Sequence, residues 1–350
     1  MYVINGLFLY RNITGVERYA IEVIKQLDKM ISDNQVKIIM PYIPNELPIE
    51  GLQHIDYITT NDRYSKINHN IWEQVILPIN LLSKGWIGIN LCNSSPLFKP
   101  DIICIHDIFY KTFPDFFVTK RSRKMAFRRK INYWFAGKLA KKIITVSEFS
   151  KKQIVENYCK DKDKVYVSKE GWEHNAGAEP DYSIFSRLDG VTEGNYYFSL
   201  GQLSPHKNIK WVFEVAKRNP DQTFVVTGQM NFGTGVSDDT APLNVIMTGY
   251  LSDGEVAALM LEMKALLFPS YCEGFGIPPM EALNKGKKVI MSDRTCLPEI
   301  YGKTVSYINP DSYEVDLQGL LSQVNESPKE ILDKYTWHKT AQQWKEWLNL

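Results

Sequence analysis

The stretch from Phe268 to Leu283, FPSYCEGFGIPPMEAL, limits what this chain can fold into more than any other segment. The apolar run ALLF, Ala265 to Phe268, reads as a buried strand that opens into a loop, passes two glycines and enters a helix. Pro278 and Pro279 suit the first helical turn, whose N–H groups have no intrahelical acceptor. Gly286 is placed to end the helix in a left-handed cap, and VIM starts the next strand. Glu273 and Glu281 flank the turn. Gly274 and Gly276 let backbone amides approach a ligand unobstructed, beside the positive end of the helix dipole. An anion site rimmed by acids suits a negatively charged leaving group attached to a ring of hydroxyls. A plain strand-to-helix connection would use the same glycines, but it does not require a carboxylate on either side.

The pattern recurs along the chain. Tyr2 to Leu9 reads as a first strand, and a helix begins near Gly15 with Val16, Tyr19, Ala20, Val23, Ile24 and Leu27 at helical spacing. That spacing leaves Glu17, Lys25 and Asp28 on the exposed side. DIICIHDIFY is an apolar strand delivering His106 and Asp107 to its carboxyl end, and IITVSEFSKK is a strand followed by Ser147 as helix N-cap. NYYFSLGQLSPHKN repeats the theme with Gly201, Gln202 and Lys207 before a helix from Ile209, and NVIMTGYLSDGE does so with Tyr250, Leu251 and a Ser252/Glu255 capping box. The expected class is α/β, with two Rossmann-like domains whose parallel sheets face a central cleft. The 350 residues suit two domains of about 150 to 200 each. We place an N-terminal domain at 1–172, a polar linker at 173–194, a second domain at 195–333, and at 334–350 an amphipathic tail helix that crosses back to the first domain.

Net charge of +1, from 41 basic and 40 acidic residues, gives no global attraction to nucleic acid or anionic lipid. Five scattered cysteines without a CxxC pair point to neither disulfides nor zinc. No apolar run reaches the ~20 residues of a membrane span, and MYVINGLFLYRN has no signal-peptide pattern, so the expected location is cytoplasmic. The only Asp-x-Asp string, Asp161 to Asp163, reads as a turn, and no metal is expected. Local charge is another matter. Thr119 to Lys142 holds ten Lys or Arg and no acid, interleaved with Phe127, Tyr133, Trp134 and Phe135. It reads as a solvated helix face or, favoured here, as a helix on anionic lipid at the inner face of the cell membrane. No nucleic-acid module accompanies it.

EGFGIPPME resembles the E-x7-E signature of retaining glycosyltransferases of family four, which have the GT-B fold. GQLSPHKN, TGYLSDGE, CIHDIFY, TVSEFSKK, LPEIYG and YTWHKTA are similar to that family's other landmarks, in order, and together they span nearly the whole chain. The WEQ at Trp72 to Gln74 looks like the mannosyl- and rhamnosyltransferase branch. The resemblance implies transfer of a hexose, with retention, from a nucleotide sugar to a glycan or lipid-linked glycan in bacterial surface polysaccharide synthesis, with no cofactor. It implies catalytic roles for Glu273, His106 and Lys207. Glu281, Gly274, Phe275, Gly276, Gly201, Gln202, Tyr250, Leu251 and Gly15 would hold the donor, and Asp107 the acceptor. Gly15 reads equally as a simple helix start. Family members commonly carry arginine where this chain has Gln202 or His206, which shifts phosphate neutralisation onto Lys207. The alternatives are a GT-B epimerase or phosphorylase, or a non-catalytic sugar- or nucleotide-binding partner.

Overall fold

The computed structural model describes residues 1–44, 46, 49–60, 67–117, 119–201, 204–228 and 240–350. Two compact units emerge, each with its own sheet: Met1–Pro114, Lys120–Gly171 and Tyr335–Leu350 form the first, Asp115–Thr119 and Trp172–Lys334 the second.

In the first unit, among the described residues, seven strands run parallel: β1 (Tyr2–Asn5), β2 (Val36–Met40), β3 (Asp56–Thr59), β4 (Ile87–Asn90), β5 (Ile102–Cys104), β6 (Lys142–Thr145) and β7 (Val165–Val167). Their order is β3-β2-β1-β4-β5-β6-β7. Strands such as VKIIM and IIC are apolar on both faces because helices cover both sides of a parallel sheet. The first strand is shorter than its apolar run suggests. It stops at Asn5, whose side chain accepts the Leu7 N–H at 3.2 Å and turns Gly6–Tyr10 into a 3-10 helix.

The helix Gly15–Asp28 begins where the sequence places it, but two of its supposedly exposed acids are buried. The Thr14 N–H donates to Glu17 Oε2 at 3.2 Å in a capping box. Asp28 accepts from the N–H groups of Gln53, His54 and Ile55 at 2.8 to 2.9 Å, so it pins the chain entering β3. Helical spacing reports which residues are apolar; it cannot register a carboxylate that finds backbone donors.

The helix Trp337–Leu348 packs on Gly15–Asp28. Trp344 Nε1 donates to the Tyr19 hydroxyl at 2.7 Å, and that hydroxyl donates to Ser168 Oγ at 2.8 Å. All three side chains are buried, so this chain of bonds forms in a low-dielectric interior.

In the second unit, the described strands are β8 (Tyr196–Leu200), β9 (Thr223–Thr227), β10 (Val245–Gly249), β11 (Ala265–Phe268), β12 (Lys288–Ser292) and β13 (Ser306–Ile308), parallel in the order β10-β9-β8-β11-β12-β13. Tyr197, Trp211, Phe213 and Phe224 are the bulk of one core cluster, each fully buried aromatic contributing about 2 to 3 kcal/mol. The polar segment 173–194 packs within this unit. It holds two short 3-10 helices, Glu173–Asn175 and Tyr182–Arg187, and buries Ile184, Leu188 and Val191.

Gly171 tests the packing of the tail helix. A Cβ there would lie 2.3 Å from the Trp337 backbone nitrogen and 2.6 Å from its Cγ. Gly171→Ala is therefore expected to lower stability by about 2 to 3 kcal/mol, read as a shift of the urea midpoint at unchanged slope.

Candidate functional site

In an open parallel sheet, ligands bind outside the carboxyl ends of the strands where the strand order reverses. In the second unit that point lies between β8 and β11. The loop after β8 carries Gly201 and Lys207, and the loop after β11 carries Glu273 to Gly276. Their side chains meet: Lys207 Nζ donates to Glu273 Oε1 at 2.7 Å and lies 5.0 Å from the centre of the Phe268 ring. The pair is largely withdrawn from solvent, with side chains 19% and 9% exposed, so its attraction is screened far less than on an open surface.

Asn208 fixes the lysine. It adopts a left-handed backbone (φ 54°) at the start of the helix Ile209–Arg218, which asparagine tolerates better than most residues. Its buried Nδ2 donates to the carbonyls of Pro269 (3.3 Å) and Pro310 (3.0 Å). The Tyr271 N–H donates to the His206 carbonyl at 2.8 Å, so the two loops are stitched by backbone as well. His206 Nδ1 faces Ser204 Oγ at 3.0 Å. Gln202 lies outside the described residues.

The glycine turn is equally constrained. Gly276 has φ +88°, its carbonyl accepts from the Tyr301 hydroxyl, and an added Cβ would meet Leu297 Cδ2 at 3.2 Å. The Glu273 N–H donates to Thr295 Oγ1 at 3.1 Å, and Cys296 Sγ donates to the Glu273 carbonyl at 3.1 Å. The helix that follows, Pro278–Asn284, is only seven residues long. Its two prolines remove two first-turn N–H groups, which weakens the expected contribution of the helix end. The Lys207 ammonium is bonded to Glu273, the residue that precedes Gly274, Phe275 and Gly276 in the loop.

Glu281 lies one turn into that helix. Asn175 Nδ2 donates to its Oε1 at 3.2 Å, and His174 Nε2 faces the same oxygen at 3.5 Å. Sequence reasoning sets this segment aside as linker and so misses both residues. The run WEHN, polar yet opening on a large aromatic, is the available signal. Glu281 also lines a recess with Trp172, Val256 and Met260. Leu251 is buried and Tyr250 is 86% exposed beyond Gly249, whose carbonyl accepts from Thr227 Oγ1 at 2.9 Å.

In the first unit the order reverses between β1 and β4. Asn5, closing β1, donates to Asn90 Oδ1 (3.2 Å) at the end of β4 and to Glu73 Oε1 (3.1 Å). Ser94 Oγ donates to the same Glu73 oxygen at 2.9 Å. Glu73, to which the sequence assigns no catalytic role, is the buried hub that ties these strand ends together.

His106, at the end of β5, is buried. Nε2 lies 3.1 Å from the Leu91 carbonyl and Nδ1 lies 3.4 Å from Glu170 Oε1, so each ring nitrogen faces a protein acceptor. The resemblance implies a catalytic role for His106, and here both ring nitrogens are turned toward the protein itself. The imidazole holds the strand end, while Asp107 Oδ1 caps the Phe109 N–H at 3.1 Å. Burial alone would favour neutral His106, but the Cys104 sulfur and the Glu170 carboxylate outweigh it and hold the pKa well above its ordinary value. Gly15 opens the first helix, and a Cβ added there would meet nothing within 4 Å.

With this geometry in place, comparison with known proteins gives consistent results. Residues 184–338 match the family of glycosyl transferases group 1. Over 242 residues the chain is 27% identical to the O-antigen chain mannosyltransferase RfbU of Salmonella typhimurium, covering 67% of this chain and 64% of that one. It is 24% identical to the O-antigen chain mannosyltransferase B of Escherichia coli, covering 61% and 58%. The chain thus spans less than two thirds of the length of these curated relatives. Among solved structures it superposes on the glycosyltransferase WaaG with TM-score 0.67 at 15% identity, covering 99% and 95% of the two chains. With sucrose-phosphate synthase from Thermosynechococcus elongatus the TM-score is 0.72 at 13% identity, covering 100% and 98%. The fold is that of the GT-B glycosyltransferases, two Rossmann-like parallel-sheet units. The second unit carries most of the stretch similar to the group 1 glycosyl transferases, and the O-antigen mannosyltransferases are similar to the chain at 24 to 27% identity.

Two measurements check the geometry. Asn208→Ala removes two buried hydrogen bonds and leaves alanine in a left-handed conformation, so a loss of about 2 to 3 kcal/mol is expected in urea unfolding. His106 binds its proton more tightly folded than unfolded. Its stabilisation is therefore complete below pH about 6.5 and lost as pH climbs through the raised value. His106→Gln should remove that part of the decline in unfolding free energy that sets in above pH about 6.5, as measured by urea titration at each pH.

Proposed function

We propose that the protein is a metal-independent retaining glycosyltransferase. In this reading it moves a hexose of mannose or rhamnose type from a nucleotide sugar to a glycan or lipid-linked glycan of bacterial surface polysaccharide. The observation that carries the reading is the Lys207–Glu273 pair at the strand reversal of the second unit. The O-antigen mannosyltransferases similar to this chain favour mannose.

The chemistry follows from the residues. Breaking the bond between sugar and diphosphate develops negative charge on the leaving oxygen, and preorganised donors that meet this charge lower the barrier. Lys207 is such a donor, held in place by Asn208, with the loop amides of Gly274 to Gly276 beside it. The carboxylate of Glu273 compensates the ammonium before the donor arrives and is then positioned toward the sugar. Glu281, oriented by His174 and Asn175, accepts from the neighbouring ribose hydroxyls. The departing phosphate oxygen takes the acceptor's proton during front-face attack, which retains configuration. His106 acts as a positioning residue for the loop carrying Asp107, on the acceptor side.

Calorimetric titration with GDP, UDP and dTDP in parallel identifies the base, and transfer from the matching sugar nucleotide tests the activity. Glu273→Gln should lower kcat about a hundredfold, ~2.7 kcal/mol in barrier, with nucleotide affinity within a few-fold of wild type. Activity should persist in chelator. Wild-type turnover by Glu273→Gln, or a strict divalent requirement, would refute the assignment.

A further inference from the structure

Among the described residues, the non-glycine positions with positive φ are Asn34, Asn93, Asp101, Asn208, Asn349 and Thr295. Asparagine and aspartate tolerate a left-handed backbone better than other side chains do. Thr295, at φ 54°, is the exception, because it is β-branched. Its branched Cβ crowds the following carbonyl, so threonine is strained there while glycine would make the same connection freely. Strain of this kind persists only where surrounding contacts enforce it, and it collects at functional loops.

The contacts of the hydroxyl account for the threonine. Thr295 lies between β12 and the helix Leu297–Tyr301, and its Oγ1 accepts from the Glu273 N–H at 3.1 Å. Cys296 Sγ donates to the Glu273 carbonyl at 3.1 Å, so consecutive residues of one loop take both backbone groups of Glu273. The Tyr301 hydroxyl, at the end of the helix, donates to the Gly276 carbonyl. The segment from Thr295 to Tyr301 thus grips the glycine turn by its backbone, and the Glu273 carboxylate is left to Lys207 Nζ at 2.7 Å. Serine and threonine alone carry a hydroxyl on Cβ; asparagine and aspartate hold their oxygen one bond further out, and glycine has none. A residue chosen for backbone ease would forfeit the bond to Glu273.

We infer that Thr295 is a positioning residue for Glu273. Its strained backbone holds the hydroxyl where it fixes the Glu273 main chain, and this aims the carboxylate at Lys207 and at the donor sugar. A group that acts in the transition state is effective only when the residues around it lock its placement, and a shift of about 1 Å costs on the order of a hundredfold in rate. The inference rests on the transferase reading and gives the LPEIYG landmark a task within it.

Four variants of the full chain test it: Thr295→Ala, Thr295→Gly, Thr295→Ser and Thr295→Ala combined with Glu273→Gln. Turnover is read as release of nucleoside diphosphate from GDP-mannose and from dTDP-rhamnose, with methyl α-mannoside as acceptor. Thr295→Ala and Thr295→Gly should each lower kcat about tenfold, with nucleotide affinity within a few-fold of wild type. Thr295→Ser should return kcat to within about threefold of wild type. Glycine relieves the strain that alanine keeps, so Thr295→Gly should unfold at higher urea than Thr295→Ala while turning over no faster. In the Glu273→Gln background Thr295→Ala should change kcat less than about twofold, because its effect passes through that carboxylate. Wild-type kcat in Thr295→Ala, an undiminished tenfold loss in the Glu273→Gln background, failure of serine to restore turnover, or turnover that follows the urea midpoint from variant to variant overturns the proposal. If wild type releases nucleotide from neither donor, the transferase reading falls and this proposal with it; a wild type that does so beside an equally active Thr295→Ala overturns this proposal alone.

Discussion

Two neighbouring parallel strands whose crossover connections leave in opposite directions open a gap above their carboxyl ends that neither connection covers. Both units contain this reversal, and each closes it differently. In the second unit the gap holds an ammonium and a carboxylate 2.7 Å apart, on loops tied to each other by Asn208 and by the Tyr271–His206 backbone bond. In the first unit it holds a neutral-to-acidic knot of Asn5, Asn90 and Glu73. The first arrangement pairs opposite charges across two loops; the second fixes strand ends.

Burial decides how the titratable groups act. Glu73, Asp28 and His106 all sit inside the first unit, and each is surrounded by donors or acceptors that suit its charged form. Removing one partner from such a group leaves an uncompensated charge, which costs more than the contact itself contributes. These residues therefore specify loop positions at the carboxyl edge of the sheet. Lys207 is less deeply enclosed, its side chain 19% exposed, while its partner Glu273 is as buried as Glu73.

Much of this was legible in sequence, because apolar runs, glycines and caps act locally. The Ser252 capping box, the Ser147 cap, the left-handed Gly286 and the helix from Ile209 all lie where the residues indicate. The glycine turn was legible as a strand, a loop and a helix with prolines in its first turn, although that helix is only seven residues long. What sequence could not show depends on distant partners. Glu73 became a hub only through Asn5 and Ser94, His106 lost both ring nitrogens to Leu91 and Glu170, and the segment read as linker supplies His174 and Asn175 to Glu281. Polar side chains carry no periodic mark of being buried, so their partners appear only with the fold.

The first unit is assembled from separated parts of the chain, and its closing element is the helix Trp337–Leu348, joined to Tyr19 across 325 positions of sequence. During synthesis the whole second unit is made before Trp344 exists. The first sheet must then wait with Tyr19 and the Ser168 hydroxyl uncovered while its successor folds. The half of the protein made first is the half finished last, and an interrupted chain would carry a complete second unit beside an open first one.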